Sequence, residues 1–133
     1  MAIGIKWDEK FEIGHERIDF EHRIFVGLIR DLSLEHDANP HGPRGERILR
    51  ELYKYAEFHF VSEENIMADV GYPDLAEHQR SHQIILAELQ NRTHQLLAGQ
   101  ATADGIVAFL YQWFALHTTT EDKRIASFIQ NAA

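Results

Sequence analysis

Four clusters of glycine and proline cut this chain into four long segments, and in each segment apolar residues recur every three or four positions. The clusters are an N-terminal stretch through Gly14, Asp37 to Gly45, Val70 to Pro73 and Ala98 to Gly105. No segment alternates apolar and polar residues with the period of two that a half-buried strand requires. The spacing therefore predicts four helices. The first runs from about Glu16 to His36 and aligns Ile18, His22, Phe25, Ile29 and Leu32 on one face. The second, about Gly45 to Asp69, aligns Leu52, Tyr55, His59, Glu63, Ile66 and Val70. The third begins at Pro73, a residue suited to a first helical turn, and stacks Leu75, His78, His82, Ile85, Leu86 and Leu89. The fourth, from about Thr102, stacks Ile106, Leu110, Trp113, His117, Ile125 and Phe128.

Short connections make consecutive helices antiparallel neighbours, so the expected fold is all-α: an up-down-up-down four-helix bundle preceded by an extended N-terminal segment. At 133 residues the chain is read as one domain, 1–133, able to bury a core without covalent or metal staples. A metal site in it is therefore functional rather than structural. Cysteine is absent, which removes disulfides, thiolate ligands and a thiol nucleophile. The opening MAIGIKWDEKFEIG lacks a basic region followed by an apolar run, and no apolar stretch reaches membrane-spanning length. A cytoplasmic protein with no membrane partner is expected. The formal net charge is −8, with no Lys/Arg cluster, so nucleic acid is not expected as a partner either.

Nine histidines stand out, and most fall where the core should be apolar. The first helix supplies His22, the second His59 with Glu63, the third His78 with His82, and the fourth His117 with nearby acids. An i, i+4 pair shares one helical face, which is how a helix presents two ligands to one site. Any one mid-helix histidine is ordinarily a hydrogen-bonded or half-exposed residue. Together, these residues require a bundle to bury five imidazoles and at least two carboxylates at one level, which is costly unless a metal coordinates them. Imidazole and carboxylate without sulfur suit iron, manganese or zinc, and seven ligands exceed what one ion takes. HQRSH lacks the glutamate of HExxH, and a single Glu-x-x-His, Glu12 to His15, falls short of the two that a ferritin-like site needs.

The ordered set of Asp19 to His22, HFVSE, HQRSH and His117 to Asp122 resembles the hemerythrin family, in its bacterial branch. Trp7, Gly14, HFVSEENIM running into GYP, and WFALH extend the resemblance over nearly the whole chain. The resemblance implies two non-haem iron ions joined by an oxo or hydroxo bridge. It puts His78, His82 and His117 on one iron, His22 and His59 on the other, and Glu63 and Asp122 across both. These ligands leave one of about twelve coordination positions open, on the iron with two histidines. The family binds dioxygen reversibly at such a position, as a hydroperoxide, so the implied function is an oxygen carrier or store rather than an enzyme. The implied oxygen pocket is Phe25, Phe60, Trp113, Phe114 and Thr118. Thr118 departs from the family, which usually has a bulky aliphatic residue directly after that histidine; its hydroxyl is expected to speed conversion to an inactive diferric form. Two alternatives share the ligand set. One is an oxygen or redox sensory domain of a larger signalling protein, with a fused or associated signalling partner. The other is a diiron peroxidase or oxidase, which needs a proton donor, for which Thr118 or Tyr111 is available.

Two positions compete within the set. His15 lies near the face of His22, but Gly14 beside it marks a helix start, so His22 is preferred. Regular α-helical geometry favours Glu121 as the partner of His117, because Asp122 would stand about 140° away. The family pattern favours Asp122, and that choice predicts a widened helical turn between the two. His36, His41 and His94 are expected in solvent. Asp19 and Glu64 are expected either at the surface or orienting an imidazole from outside the ligand set.

Overall fold

The structure, a computed structural model, describes residues 4–40 and 42–132. Among these residues there is no strand. A single 3-10 turn, Glu9–Phe11, precedes α1 (Glu16–Ala38), α2 (Pro43–Val70), α3 (Leu75–Leu97) and α4 (Ala103–His117). A π-helical turn, Thr118–Asp122, joins α4 without a break to α5 (Lys123–Ala132), and the three together make the fourth helix of the bundle.

Neighbours in sequence are neighbours in space. α1 packs on α2 and α4, and α3 packs on the same two helices. Cross-helix pairs run in opposite directions: Glu21 meets His59 while Phe25 meets Tyr55, and Glu63 meets His78 while Phe60 meets His82. The bundle is therefore antiparallel throughout, as the connections predicted.

Local chemistry explains the ends. His15 caps α1, its Nδ1 accepting from the Ile18 N–H at 3.3 Å, so this histidine serves the helix start. Asp19 accepts from the N–H groups of Ile13 and Gly14, at 2.8 and 3.2 Å, and pins the N-terminal segment; it does not orient an imidazole. Pro43 occupies the first turn of α2, which starts two residues before the expected Gly45. Gly71, with φ +71°, ends α2 in the left-handed conformation, and the Tyr72 N–H donates to the Met67 carbonyl. That turn carries the chain through Pro73 and Asp74 before α3 begins at Leu75, later than the expected Pro73. It also turns Tyr72 inward against Phe128, and Met67, not the exposed Val70, is the buried residue at the end of α2.

The core lies in two apolar layers with a polar one between them. The larger layer includes Ile29, Leu32, Leu52, Leu89, Ile106 and Leu110, each at most 1 % exposed. Burying a side chain of this kind contributes on the order of 1.5–3 kcal/mol. The N-terminal segment closes this layer with Phe11, which packs edge-on against Phe114 and Tyr111. Beyond the polar layer, Met67, Tyr72 and Ile125 form one smaller cluster, and Ile13, Ile18 and Ala126 another. Both sides of the polar layer are thus closed to water by hydrocarbon.

Candidate metal centre

His22, His59, Glu63, His78, His82, His117 and Asp122, contributed by all four helices of the bundle, fill the polar layer and are all buried. Two groups of potential metal donors emerge: His22, His59 and Glu63 form one, and His78, His82, His117 and Glu63 the other. Glu63 belongs to both, and its two oxygens divide between them. Its Oε1 lies 2.8 Å from His78 Nε2 and 3.2 Å from His82 Nε2; its Oε2 lies 3.5 Å from His59 Nε2 and 3.7 Å from His22 Nε2. Asp122 divides in the same way, with Oδ2 3.2 Å from His22 Nε2 and Oδ1 3.1 Å from the Nε2 atoms of both His78 and His117. The irregular turn expected between His117 and Asp122 is present. The π turn over Thr118–Asp122 swings Asp122 inward, while Glu121 reaches the opposite edge of the ring, Oε2 lying 3.0 Å from His117 Nδ1.

Three imidazoles therefore have a carboxylate on the nitrogen that faces away from the centre. Besides Glu121 on His117, Glu64 Oε2 lies 2.7 Å from His82 Nδ1 and Glu21 Oε1 lies 2.8 Å from His59 Nδ1. The two that hydrogen-bond, Glu64 and Glu21, fix the tautomer and leave Nε2 free as a donor to metal. For Glu64 that role is one of the two expected, whereas Glu21 is a residue that sequence reasoning missed. It is buried and held by the Ser62 hydroxyl at 2.9 Å and by Arg17 at 3.1 Å. Two rings are also fixed by stacking, Phe60 on His82 at 4.0 Å and Trp113 on His117 at 4.6 Å.

Electrostatics follow from packing carboxylates among imidazoles. Burial pushes the Glu63 carboxyl up, but the facing imidazoles of His22, His59, His78 and His82 outweigh it and hold the group well below the usual carboxylate range. Asp122 is lowered too: burial and the Glu63 charge oppose ionisation, and His117 and His22 overcome them. Burial disfavours charge on His59 and His78, yet carboxylates raise them to about 9 and about 10. Even so, Glu63 Oε2, Asp122 Oδ1 and the Nε2 atoms of His82 and His117 are buried without a hydrogen-bond partner. Orphaned donors and acceptors converging on one point fit a bound cation, and an all-nitrogen-and-oxygen set suits iron, manganese or zinc.

A cavity of about 10 Å³ adjoins the centre, lined by Phe25, Phe60, Trp113, Phe114 and Thr118 together with His22, His59, His117 and Asp122. All five residues expected around a ligand pocket thus surround one void. Tyr111 does not: its hydroxyl donates to the Lys6 carbonyl at 3.0 Å, so it is no proton donor to this cavity. His94 is exposed, as expected. His36 instead is half-buried, with Nε2 4.0 Å from Asp104 Oδ2, and His41 lies outside the described residues.

The fold and this centre define a four-helix bundle with a buried cluster of histidine and carboxylate able to hold metal. The chain belongs to the hemerythrin family: residues 13–129 match the hemerythrin HHE cation binding domain. It is similar to the bacteriohemerythrin of Stenotrophomonas maltophilia, 26% identical over 130 residues that cover 98% of this chain and 84% of that one. With the myohemerythrin of Riftia pachyptila it shares 28% identity over 111 residues, 84% of this chain and 82% of the other. The crystal structure of wild-type hemerythrin superposes with a TM-score of 0.80 at 25% identity, covering 94% of this chain and 97% of that one. No helix among the described residues is long and apolar enough to cross a membrane.

Proposed function

We propose that residues 1–133 act as one hemerythrin-like domain that holds two non-haem iron ions and binds dioxygen reversibly, as a carrier or store. The observation that carries this reading is the division of the two carboxylates. Glu63 and Asp122 each turn one oxygen toward His22 and the other toward His78. That arrangement supports His22 and His59 as ligands of one iron, His78, His82 and His117 as ligands of the other, and both carboxylates as bridges.

Iron bound there would supply electrons and an open coordination position for dioxygen. The chain supplies the rest. Phe25, Phe60, Trp113 and Phe114 keep the cavity dry, which guards against loss of the ligand to water. Glu21 and Glu64 hold His59 and His82 in the tautomer that presents Nε2, and Glu121 lies 3.0 Å from His117 Nδ1. The cavity is about the size that one small molecule needs, on the order of 10–15 Å³, which favours a diatomic ligand over an organic substrate.

Anaerobic titration of the metal-free chain with ferrous iron tests the reading. Binding should saturate at two equivalents, and Glu63→Ala should lower that number. Saturation of the unaltered chain at one equivalent would refute the two-iron site.

A further inference from the structure

Three threonines in a row, Thr118, Thr119 and Thr120, enter the π turn, and their hydroxyls behave differently. Thr119 and Thr120 return theirs to the carbonyls of Ala115 and Leu116, each at 2.7 Å, the usual resting place of a helical threonine hydroxyl. Thr118 does not. Its side chain lines the cavity beside the metal centre, is 1 % exposed, and its Oγ1 is buried without any hydrogen-bond partner. An orphaned hydroxyl of this kind weakens a folded chain, because the bond it made to water is lost and nothing replaces it. The other side chains that line the cavity from α1, α2 and α4 without belonging to the metal cluster, Phe25, Phe60, Trp113 and Phe114, are aromatic hydrocarbon or indole. The hydroxyl therefore stands as the one aliphatic hydrogen-bond donor facing this void among the lining residues.

We propose that Thr118 Oγ1 donates a hydrogen bond to the outer atom of a small ligand seated in the cavity, and so selects ligands of two or three atoms that end in a hydrogen-bond acceptor. The proposal rests on the reading of the cavity as the ligand pocket of the metal centre. It adds that this chain recognises the far end of the ligand through the protein as well as the near end through metal.

The test uses the iron-loaded, oxidised protein and azide, a small linear anion whose far nitrogen accepts hydrogen bonds, with Kd read from the azide-dependent absorption. Thr118→Val keeps the shape and removes the donor, and should weaken azide binding by about five- to tenfold, the size expected for one net hydrogen bond. Thr118→Ser restores the donor and should return the affinity to within about twofold of the unaltered chain. A second readout needs no metal. In the metal-free protein Thr118→Val removes an unsatisfied buried hydroxyl, so its melting midpoint should rise by roughly 3 °C or more. Equal azide affinity in the unaltered chain and Thr118→Val overturns the proposal while leaving the metal-centre reading intact. A metal-free Thr118→Val chain that melts no higher than the unaltered one also overturns it, by showing that the hydroxyl is already satisfied. Absence of any azide-dependent absorption in the unaltered chain overturns both.

Discussion

Glu21 Oε1 lies 2.8 Å from His59 Nδ1, and both side chains are buried between α1 and α2. The same carboxylate takes the Ser62 hydroxyl on its other oxygen, so the imidazole is held from outside by a group that is itself held. Replacing Glu21 by Ala should therefore weaken iron at the position formed by His22 and His59, by about 10- to 100-fold in affinity. Iron held by His78, His82 and His117 should be spared. Equal loss from both positions in a competition titration would contradict this.

In the metal-free chain the same carboxylates make stability depend on pH. His59 is raised to about 9 and His78 to about 10 from an ordinary 6.5. Groups raised on folding stabilise fully below the unfolded value and lose that contribution as pH climbs through the folded one. The melting midpoint of the metal-free protein should thus fall between pH 6.5 and 10. Iron-loaded protein should not follow, because its imidazoles are already neutral when they bind metal and it is acid that releases the ion. Scanning calorimetry of both forms across that interval checks the difference.

Glu121 and Asp122 are adjacent in sequence and opposite in role. Asp122→Ala removes a carboxylate that faces both donor groups and should lower iron to fewer than two equivalents per chain. Glu121→Ala removes a half-exposed partner of His117 Nδ1; both irons should remain, with affinity reduced by about tenfold or somewhat more. If the two variants exchanged these outcomes in iron analysis, the assignment of Asp122 would fall.

Deleting Thr120 should convert the π turn to ordinary α-helix, since one residue fewer returns the i+5 pair to i+4. The aspartate then stands at i+4 from His117, on the face that the π turn now gives it, so iron should still bind while far-UV circular dichroism stays helical. A deletion variant that loses iron would show that the widened turn does more than bring Asp122 to the face of His117.

Much of the fold and of the centre was legible from spacing alone. The faces carrying Ile18, His22, Phe25, Ile29 and Leu32, or His78, His82, Ile85 and Leu89, are buried because a regular helix repeats its face every three to four residues. Glu21 was not legible. It lies about 100° round α1 from His22, on the flank that meets α2, and only the pairing with His59 and Ser62 across that contact gives it a role. The start of α3 was missed for a related reason: Pro73 suits a first turn, but the inward rotation of Tyr72 against Phe128 decides where the helix begins. Asp122 is the reverse case, visible by family resemblance and hidden from periodicity, because a π turn breaks the period that the argument relies on.

Thr118→Ile puts a bulkier hydrocarbon side chain beside the centre and removes its hydroxyl. Conversion of the oxygen-exposed protein to the diferric form should slow, because a hydroxyl beside the ligand gives water and protons a route that a butyl side chain closes. The rate of that conversion, followed optically in air, should fall by about five- to tenfold; removing a donor worth ~1–1.5 kcal/mol sets that scale. An unchanged rate would mean that Thr118 does not govern it.

The most direct test of the central claim is an oxygen cycle on the iron-loaded chain. The protein is reduced without oxygen, exposed to oxygen and purged, with the absorption spectrum recorded at each step. Reversible oxygen binding predicts a charge-transfer band that appears with oxygen, disappears on purging and returns over repeated cycles. An immediate, irreversible change to an oxo-bridged diferric spectrum, or no oxygen-dependent band at all, would contradict it.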